Sequence, residues 1–250
     1  MKLLLTNDDG VHAKGIYALC KELEKYHDII VVAPEDQRSA TSHSITIREP
    51  LIVKKVELPG LKSKAYSVSG TPADCVRMGL DQLVESDIDM VISGINIGYN
   101  LGTDVLYSGT VSAAVEATLC GLPAIAVSTH HDAEISMYDT AATYVHQVIE
   151  KAVKNKLQND IVLNVNVPSI EKQYIKGLKV CKIGTLQYRA FYRESKREDE
   201  SRVYTLEGEE IVDQIEETDA YYVGKGYITI TPLHYDLTNF SILKDVTKWF

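Results

Sequence analysis

Apolar and polar positions alternate in blocks along the first two-thirds of the chain. Short apolar runs, typical of strands buried in a parallel sheet, are separated by segments in which apolar residues recur at helical spacing. In chain order, the strand-like runs read KLLLT, DIIVVAP, LIVKKVEL, AYSVSG, DMVISG, PAIAVS and DIVLNVNVP. This β-α-β alternation predicts an α/β fold with a doubly wound parallel sheet and helices on both faces.

The helical segments carry recognisable start and stop signals. One helix is predicted to begin near Gly15, and a second to begin after Thr71, its N-cap, with Pro72 at the first helical position. A third helix ends before Gly121, and a long amphipathic helix is predicted over about 137–155.

The pattern changes in residues 186–217, which are charged and carry Tyr and Phe without the periodicity of a core element. Two interpretations are open: a mobile surface loop, or a protruding β-hairpin arm that packs on a partner subunit. A strand, GYITITPL, and a short terminal helix, FSILKDVTKWF, follow. That helix carries apolar residues that we do not expect to remain in water together: Phe240, Leu243, Val246, Trp249 and Phe250.

Length and composition are those of an ordinary globular protein. The chain has 250 residues, of which 45% are hydrophobic and 24% are charged, so we predict a single domain over residues 1–250. We expect its core to comprise about 1–185 and 226–236, an oligomerisation arm about 186–225, and the C-terminal helix about 239–250.

Charge and cysteine usage narrow the class of protein. The net charge is −9, which argues against binding to nucleic acid duplexes or to anionic membranes. No apolar run reaches the roughly 20 residues of a membrane span, and the strand pattern begins without a signal peptide. The cysteines are far apart and form no CxxC, so we expect buried thiols and a cytoplasmic location rather than zinc or disulfides. They are Cys20, Cys75, Cys120 and Cys181.

Three polar segments follow strands of the predicted sheet. They read TNDDG, PEDQRSATSHS and GINIGYNLGTDVLYSGT. Ligands of an open parallel sheet bind outside the carboxyl ends of the strands. We therefore expect these segments to meet along one edge.

Asp8 and Asp9 lie side by side where a buried strand has just ended. Neighbouring carboxylates repel, and each is costly to desolvate without a positive partner. Ser39 and Asn96, on the other polar segments, offer neutral oxygens, and Mg²⁺ or Mn²⁺ takes about six oxygen ligands. In the alternative interpretation the carboxylates cap the helix near Gly15, which needs only one of them. We predict a metal site of Asp8, Asp9, Ser39 and Asn96.

Ser108, Gly109 and Thr110 open a helix immediately after a glycine-studded polar loop. Backbone N–H groups at a helix start, together with two hydroxyls, make an anion site suited to phosphate. The alternative is an ordinary N-cap by Ser108. The segment is neither GxGxxG nor a P-loop with GK[ST], so nothing points to NAD or to P-loop ATP hydrolysis.

His43 is the only histidine inside the three polar segments. It can serve as acid, base or phosphate donor, or simply as a structural hydrogen-bonding group. Arg38, beside Ser39, pairs either with phosphate or with Asp36.

Five stretches of the chain resemble the SurE survival-protein nucleotidases and together run from residue 3 to about 238. They read LLLTNDDG, VVAPEDQRSATSHSIT, GTPADCV, SGINIGYNLGTDVLYSGTVSAAVEA and ITITPLHYDLT. The resemblance implies a metal-dependent phosphatase acting on nucleoside 5′- and 3′-monophosphates, with metal ligands matching Asp8, Asp9, Ser39 and Asn96. It also implies a Rossmann-like core. An exchanged C-terminal segment and a projecting hairpin would join the subunits into a homodimer or homotetramer.

The chain departs from that family at three small residues. Ala40 stands where the family usually has a glycine after the serine, and Ser112 and Ala117 stand where glycines are common. These positions affect the backbone of the second polar loop and the packing of the predicted phosphate-binding helix.

The leading hypothesis is a phosphomonoesterase. One divalent ion per subunit neutralises phosphate charge and activates or orients a water, while Ser108, Gly109 and Thr110 hold the anion. A variant of this hypothesis makes Asp8 or Asp9 the nucleophile of an aspartyl-phosphate intermediate.

Two other classes compete with a phosphatase. One is a non-catalytic, metal-dependent nucleotide-binding protein, which metal-dependent release of phosphate would exclude. The other is a receiver-like signalling domain. Receivers need a phosphoacceptor Asp at the end of a central strand, where this chain has Ser93 and Gly94, and the chain is much longer than a receiver.

Overall fold

The computed structural model describes residues 1–196, 201–212 and 215–250. Its strands are β1 (Lys2–Thr6), β2 (Asp28–Pro34), β3 (Val53–Val56), β4 (Lys64–Val68), β5 (Met90–Ile97), β6 (Ala124–Thr129), β7 (Val162–Val167), β8 (Leu178–Val180), β9 (Leu186–Lys196), β10 (Arg202–Val212) and β11 (Ile228–Leu233). Its α-helices are α1 (Lys14–Leu23), α2 (Pro72–Met78), α3 (Gly109–Leu119), α4 (Ile135–Lys154), α5 (Asp219–Gly224) and α6 (Phe240–Thr247).

Nine strands form one sheet in the order β3-β4-β2-β1-β5-β6-β7-β11-β8. The six strands from β4 to β7 in this order all run parallel, whereas β3 and β11 run antiparallel to β4 and β7. The predicted doubly wound, mostly parallel sheet is confirmed, and its parallel part has the order of a Rossmann-like fold.

The strand order reverses between β1 and β5. From β1 the chain builds outward through β2 and β4, and it then returns to β5 on the other side of β1. The start of α1 packs directly on β5, because a Cβ added to Gly15 would lie 1.9 Å from the Ile95 carbonyl oxygen. A crevice outside the carboxyl ends of strands opens at such a switch point, and ligands of doubly wound folds bind there.

Two hydrophobic cores lie on opposite faces of the sheet. Leu3 and Leu5 of β1 belong to the core that contains α1 and α4, whereas Leu4 belongs to the core that contains α2 and α3. All three side chains are fully buried. This burial on both faces explains why the strands of this parallel sheet read as continuous apolar runs.

The predicted helix starts are confirmed, but one helix changes form. The Thr71 side chain accepts from the Asp74 N–H at 3.1 Å, and the Asp74 carboxylate accepts from the Thr71 N–H at 2.9 Å, forming a capping box. Beyond Met78 the segment continues as a single π-helical turn over Gly79–Leu83. The long helix α4 spans Ile135–Lys154 rather than 137–155.

The arm contains an antiparallel pair of long strands. β9 and β10 pair in register from Lys196 opposite Arg202 to Leu186 opposite Val212. The hairpin is therefore confirmed and the surface-loop interpretation is wrong, whereas packing of the arm on a partner subunit stays a prediction. Residues 197–200 and 213–214 of the predicted arm lie outside the described residues.

Helix α5 falls inside the range predicted for the arm, but it packs on the core. Ala220 and Val223 cluster with Leu101. The buried Asp219 carboxylate accepts from the N–H groups of Gly102 at 2.9 Å and Gly184 at 2.7 Å.

Helix α6 leaves most of its apolar side chains exposed in the single chain. Trp249 is 73% exposed, and Phe240, Leu243 and Phe250 are also exposed. Exchange of this helix between subunits stays a prediction. Among the described residues, no helix has both the length and the apolar character needed to cross a membrane.

All four cysteines are free thiols. Cys20 and Cys75 are buried, as predicted. The prediction is wrong for Cys120, which is exposed just past the end of α3, and for Cys181, which is half-buried.

Candidate active site

The acidic pair lies in a tight turn at the carboxyl end of β1. The Asn7 side chain closes this turn on Gly10: its amide nitrogen donates to the Gly10 carbonyl at 2.9 Å, and its amide oxygen accepts from the Gly10 N–H at 3.2 Å. Asp8 is 4% exposed and Asp9 is half-buried. Two adjacent carboxylates are therefore taken largely out of water at the switch point.

Asp8 packs against the first turn of α3. Its carboxylate accepts a hydrogen bond from the Thr110 hydroxyl. A Cβ added to Gly109 would lie 2.8 Å from the Asp8 Cβ, so only glycine permits this approach. Burial raises the pKa of the Asp8 carboxyl. Hydrogen bonds from the Thr110 hydroxyl and from the backbone N–H groups of Gly109 and Thr110 lower this pKa, but they offset the effect of burial only in part.

Asp9 connects the other two polar segments. Its carboxylate accepts from the Ile97 N–H at 3.0 Å and from the Gln37 amide at 3.4 Å, and the same Gln37 amide donates to the Ser39 hydroxyl at 2.9 Å. Burial raises the pKa of the Asp9 carboxyl to about 6, and the charge of Asp8 acts in the same direction. Hydrogen bonds from Ile97 and Gln37 oppose this shift.

Asn96 lies on β5 just beyond a shift in its register with β6. Its amide nitrogen donates to the Gly98 carbonyl at 2.8 Å. The amide oxygen is therefore the atom that Asn96 can offer to a ligand. The turn after β1, the segment after β2 and the end of β5 thus meet at one edge.

The hydroxyls at the start of α3 have structural partners. The Ser108 side chain accepts from the Val111 N–H at 3.1 Å, so the alternative interpretation, an ordinary N-cap, describes this hydroxyl. The Thr110 hydroxyl is bonded to Asp8. A phosphate role for Ser108, Gly109 and Thr110 therefore depends on the positive end of the helix and on its first N–H groups.

His43 and Arg38 both have partners inside the protein. The His43 Nε2 lies 2.6 Å from a carboxylate oxygen of Glu116, which is on α3 well beyond its first turn. The Arg38 guanidinium donates to the Ser69 carbonyl at 2.8 Å. Arg38 therefore bonds a backbone carbonyl rather than Asp36, and its pairing with phosphate stays a prediction.

The residues present fit a divalent cation. Within residues 1–196, 201–212 and 215–250, no Lys or Arg forms an ion pair with Asp8 or Asp9. Buried carboxylates without a positive partner are costly, and a hard cation that prefers oxygen ligands removes that cost. Asp8, Asp9, Ser39 and Asn96 all offer oxygen atoms at this edge.

The described part of the chain has one other group of potential metal-ligand side chains. His130, His131 and Asp132 directly follow β6, and their ligand atoms lie within 4.8 Å of one another. His130 is half-buried, whereas His131 and Asp132 are exposed. Since nitrogen-rich groups suit zinc better than Mg²⁺, this group competes weakly for the predicted ion.

Sequence reasoning missed three contributors to the site. Gln37 was not singled out although it lies inside a predicted polar segment, and the Ile97 N–H carries no side-chain signal at all. Glu116 did carry a signal: a single carboxylate among the small residues of α3, where Ala113 and Ala117 are fully buried.

These features place the chain in the class of doubly wound α/β proteins whose ligand site lies at the switch point of the sheet. In this member of the class, the buried Asp8 of an acidic pair contacts the N-terminus of α3 across that switch point.

Comparisons with known proteins assign the chain within this class. The model of a protein family described as "Survival protein SurE" matches residues 3–190. The chain is 52% identical to the 5′-nucleotidase SurE of Clostridium botulinum (strain ATCC 19397 / Type A), covering 100% of this chain and 99% of that one. It is 50% identical to the 5′-nucleotidase SurE of Clostridium tetani (strain Massachusetts / E88), with both chains covered completely.

A solved structure gives the same assignment. The crystal structure of the SurE protein from Aquifex aeolicus matches with a TM-score of 0.86 and 36% identity, covering 100% of this chain and 99% of that chain. The chain belongs to the SurE family.

The raised pKa of Asp9 yields a prediction for stability. Because its pKa in the folded state lies above that of the unfolded chain, its ionisation opposes folding, and the metal-free protein loses stability as pH rises from about 4 to about 6. Asp9→Asn should remove this loss and raise the free energy of unfolding at pH 7.5 by about 1–3 kcal/mol. Urea denaturation with a chelator present measures the difference, and Asp28→Asn, on the exposed start of β2, is the control. A less stable Asp9→Asn protein at pH 7.5 would contradict the assignment.

The backbone at Ala40 yields a second prediction. Its φ is 54°, in the left-handed region, where a Cβ costs about 1–2 kcal/mol. Ala40→Gly should therefore raise the free energy of unfolding by about 0.5–1 kcal/mol after the entropy cost of glycine. The control Ala18→Gly, in the right-handed backbone of α1, should lower it by about 1 kcal/mol. Thermal denaturation measures both variants. Equal losses in the free energy of unfolding for Ala40→Gly and Ala18→Gly would show that the backbone at residue 40 is not strained.

Proposed function

We propose that this chain hydrolyses nucleoside 5′-monophosphates, and also 3′-monophosphates, to nucleoside and phosphate with the help of a divalent ion. The observation that carries the proposal is the buried acidic pair, Asp8 and Asp9, without a positive partner among the described residues and beside the N-terminus of α3. Relatives that match this chain over its full length are named 5′-nucleotidases, and these names support the same activity.

The proposed cation is one Mg²⁺ or Mn²⁺ per subunit, held by Asp8, Asp9, Ser39 and Asn96. Carboxylate, hydroxyl and amide oxygens are the ligands these ions prefer, and three separate polar segments supply them. When bound, such an ion would neutralise phosphate charge and activate a water for attack.

The chain's own groups orient the acidic pair and receive the phosphate. The Thr110 hydroxyl holds the carboxylate of Asp8, and the Ile97 N–H holds that of Asp9, so neither carboxylate is free to rotate. The N–H groups of Gly109 and Thr110 already stabilise Asp8, so it is the positive end of α3 as a whole that favours an anion at the same place. Groups that are already oriented toward developing negative charge stabilise the transition state without reorganisation.

Two alternatives are less well supported. A receiver-like domain would not be expected to match nucleotidases at about 50% identity over its whole length. A non-catalytic nucleotide-binding protein would share the site but would release no phosphate.

Phosphate release from a panel of nucleoside monophosphates, after chelation and re-addition of single divalent ions, tests the function. We expect no release without a metal and recovery with Mg²⁺ or Mn²⁺. Asp9→Asn should lower the rate at least roughly a hundredfold, since it removes a charged ligand. The control Asp28→Asn should keep full activity. Full activity of Asp9→Asn, or phosphate release with a chelator present, would contradict the metal site.

The compartment and the assembly are also proposed rather than observed. The four free thiols support the reducing environment of the cytoplasm. We propose at least a dimer, because Phe240 and Leu243 of α6, and Trp249 just beyond its end, are exposed on a single chain. Phe191 and Tyr192 on β9 are also exposed, and they support additional contacts through the arm that would make a tetramer.

Loss of the apolar residues of α6 tests the assembly. Burying a large apolar side chain contributes roughly 1.5–3 kcal/mol, so the double substitution Leu243→Ser and Trp249→Ser should reduce the oligomeric state. Lys244→Ser, on the same helix, is the matched control and should leave the mass unchanged. Light scattering that gives one mass for wild type and double variant, both soluble, would contradict the role of α6.

A further inference from the structure

The loop that carries Ser39 has no hydrophobic anchor of its own. Every residue from 35 to 47, here called the Ser39 loop, is exposed or half-buried. Two of its non-glycine residues, Ala40 and Ser42, have left-handed backbones with φ of 54° and 51°. Such conformations persist only where surrounding contacts hold them. Contacts with other elements must therefore fix this loop.

The strongest of those contacts joins the loop to α3. His43 donates from Nε2 to the Glu116 carboxylate at 2.6 Å. One residue earlier, the Ser42 N–H donates to the Tyr107 carbonyl at 3.0 Å, just before α3 begins. The middle of the Ser39 loop is thus bonded to α3 and to the residues that lead into it.

Glu116 is a suitable anchor because its side chain is almost completely buried, at 4% exposure. A buried carboxylate is stable only when its hydrogen-bonding capacity is filled. Here the Arg77 guanidinium of α2 lies 3.2 Å from one oxygen, and His43 lies 2.6 Å from the other. Loss of His43 would leave one oxygen of a buried charge without this donor, so the contact is expected to be strong.

The far end of the loop has a second anchor of the same kind. The Thr46 N–H donates to the buried Asp74 carboxylate at 3.0 Å, and the Thr46 hydroxyl donates to it at 2.6 Å. At the near end, the Arg38 N–H donates to the Asp8 carbonyl at 2.6 Å. Between these two ends, the His43 side chain bonds the left-handed stretch to α3, and the carbonyl of the next residue, Ser44, accepts from the Thr71 hydroxyl at 2.8 Å.

We propose that Glu116, through His43, is a positioning residue that holds the Ser39 loop so that Ser39 completes the oxygen set formed with Asp8 and Asp9. The inference rests on the proposed function of that site. The observed side-chain partners of His43 and Glu116 are each other and Arg77, not Asp8, Asp9 or Ser39. Their effect arises because α3 contacts Asp8 at its first turn and the Ser39 loop further along the same helix.

Release of the loop has a defined consequence for binding. If the loop occupies its ordered position only part of the time, the apparent dissociation constant of the cation rises by the inverse of that fraction. At a saturating cation concentration, the bound cation keeps the loop in its ordered position, so the turnover number is preserved. A residue that took part in the chemistry would lower that turnover number instead.

The test measures Mn²⁺ binding to the full chain by calorimetry, together with hydrogen exchange of the Ser39 loop in the metal-free protein. His43→Ala should raise the Mn²⁺ dissociation constant roughly tenfold, equivalent to about 1.4 kcal/mol, and should speed exchange in the loop. His43→Gln, which keeps a donor, should recover most of the affinity. Glu24→Ala is the matched control, because Glu24 holds Lys62 and Ser63 of a loop outside the proposed site.

Kinetics at saturating Mn²⁺ separate positioning from chemistry. We expect the turnover number of His43→Ala to stay within roughly twofold of wild type. Unchanged Mn²⁺ affinity and exchange would overturn the inference, as would a fall in turnover that saturating Mn²⁺ does not restore. Glu116→Gln, if it folds, should weaken Mn²⁺ binding in the same direction. If the wild type released no phosphate, the proposed function would fail, while affinity and exchange would still decide this inference.

Discussion

The contact between Asp8 and the first turn of α3 is the interaction on which the site depends. It joins the end of β1 to a helix that follows β5, and these two strands lie on either side of the switch point. The contact is close only because residue 109 is a glycine. The N–H groups of that turn compensate the buried carboxylate in part, yet burial still raises its pKa. The fold therefore buries a carboxyl group whose charged form its own groups stabilise only in part.

That imbalance supports the proposal that the site binds a cation and a phosphate together. The unfavourable burial of Asp8 and Asp9 is relieved when a cation binds, so part of the cost of folding the site becomes a driving force for metal binding. The start of α3 then offers N–H groups to an anion at the same place. In the proposed complex, cation and anion would occupy adjacent positions because one helix and one strand end create both sites.

Much of the fold could be predicted from sequence because it depends on local patterns. Continuous apolar runs fixed the parallel strands, and Thr71 with Pro72 fixed the start of α2. Strand ends also predicted that the polar segments meet, since carboxyl ends of parallel strands share an edge. Two long-range hydrogen bonds could not be predicted from sequence: the bond from the Thr110 hydroxyl to Asp8, and the bond between His43 and Glu116. No local spacing encodes them, because each joins α3 to a distant segment of the chain, the end of β1 in one case and the Ser39 loop in the other.

Mn²⁺ bound to the intact protein tests the account most directly, because its anomalous scattering locates it in a crystal without reference to activity. The account predicts one main peak per subunit, contacted by oxygens of Asp8, Asp9, Ser39 and Asn96. A fully ordered structure with Mn²⁺ present but no peak between Asp8 and Asp9, or with the main peak at His130–Asp132, would contradict it.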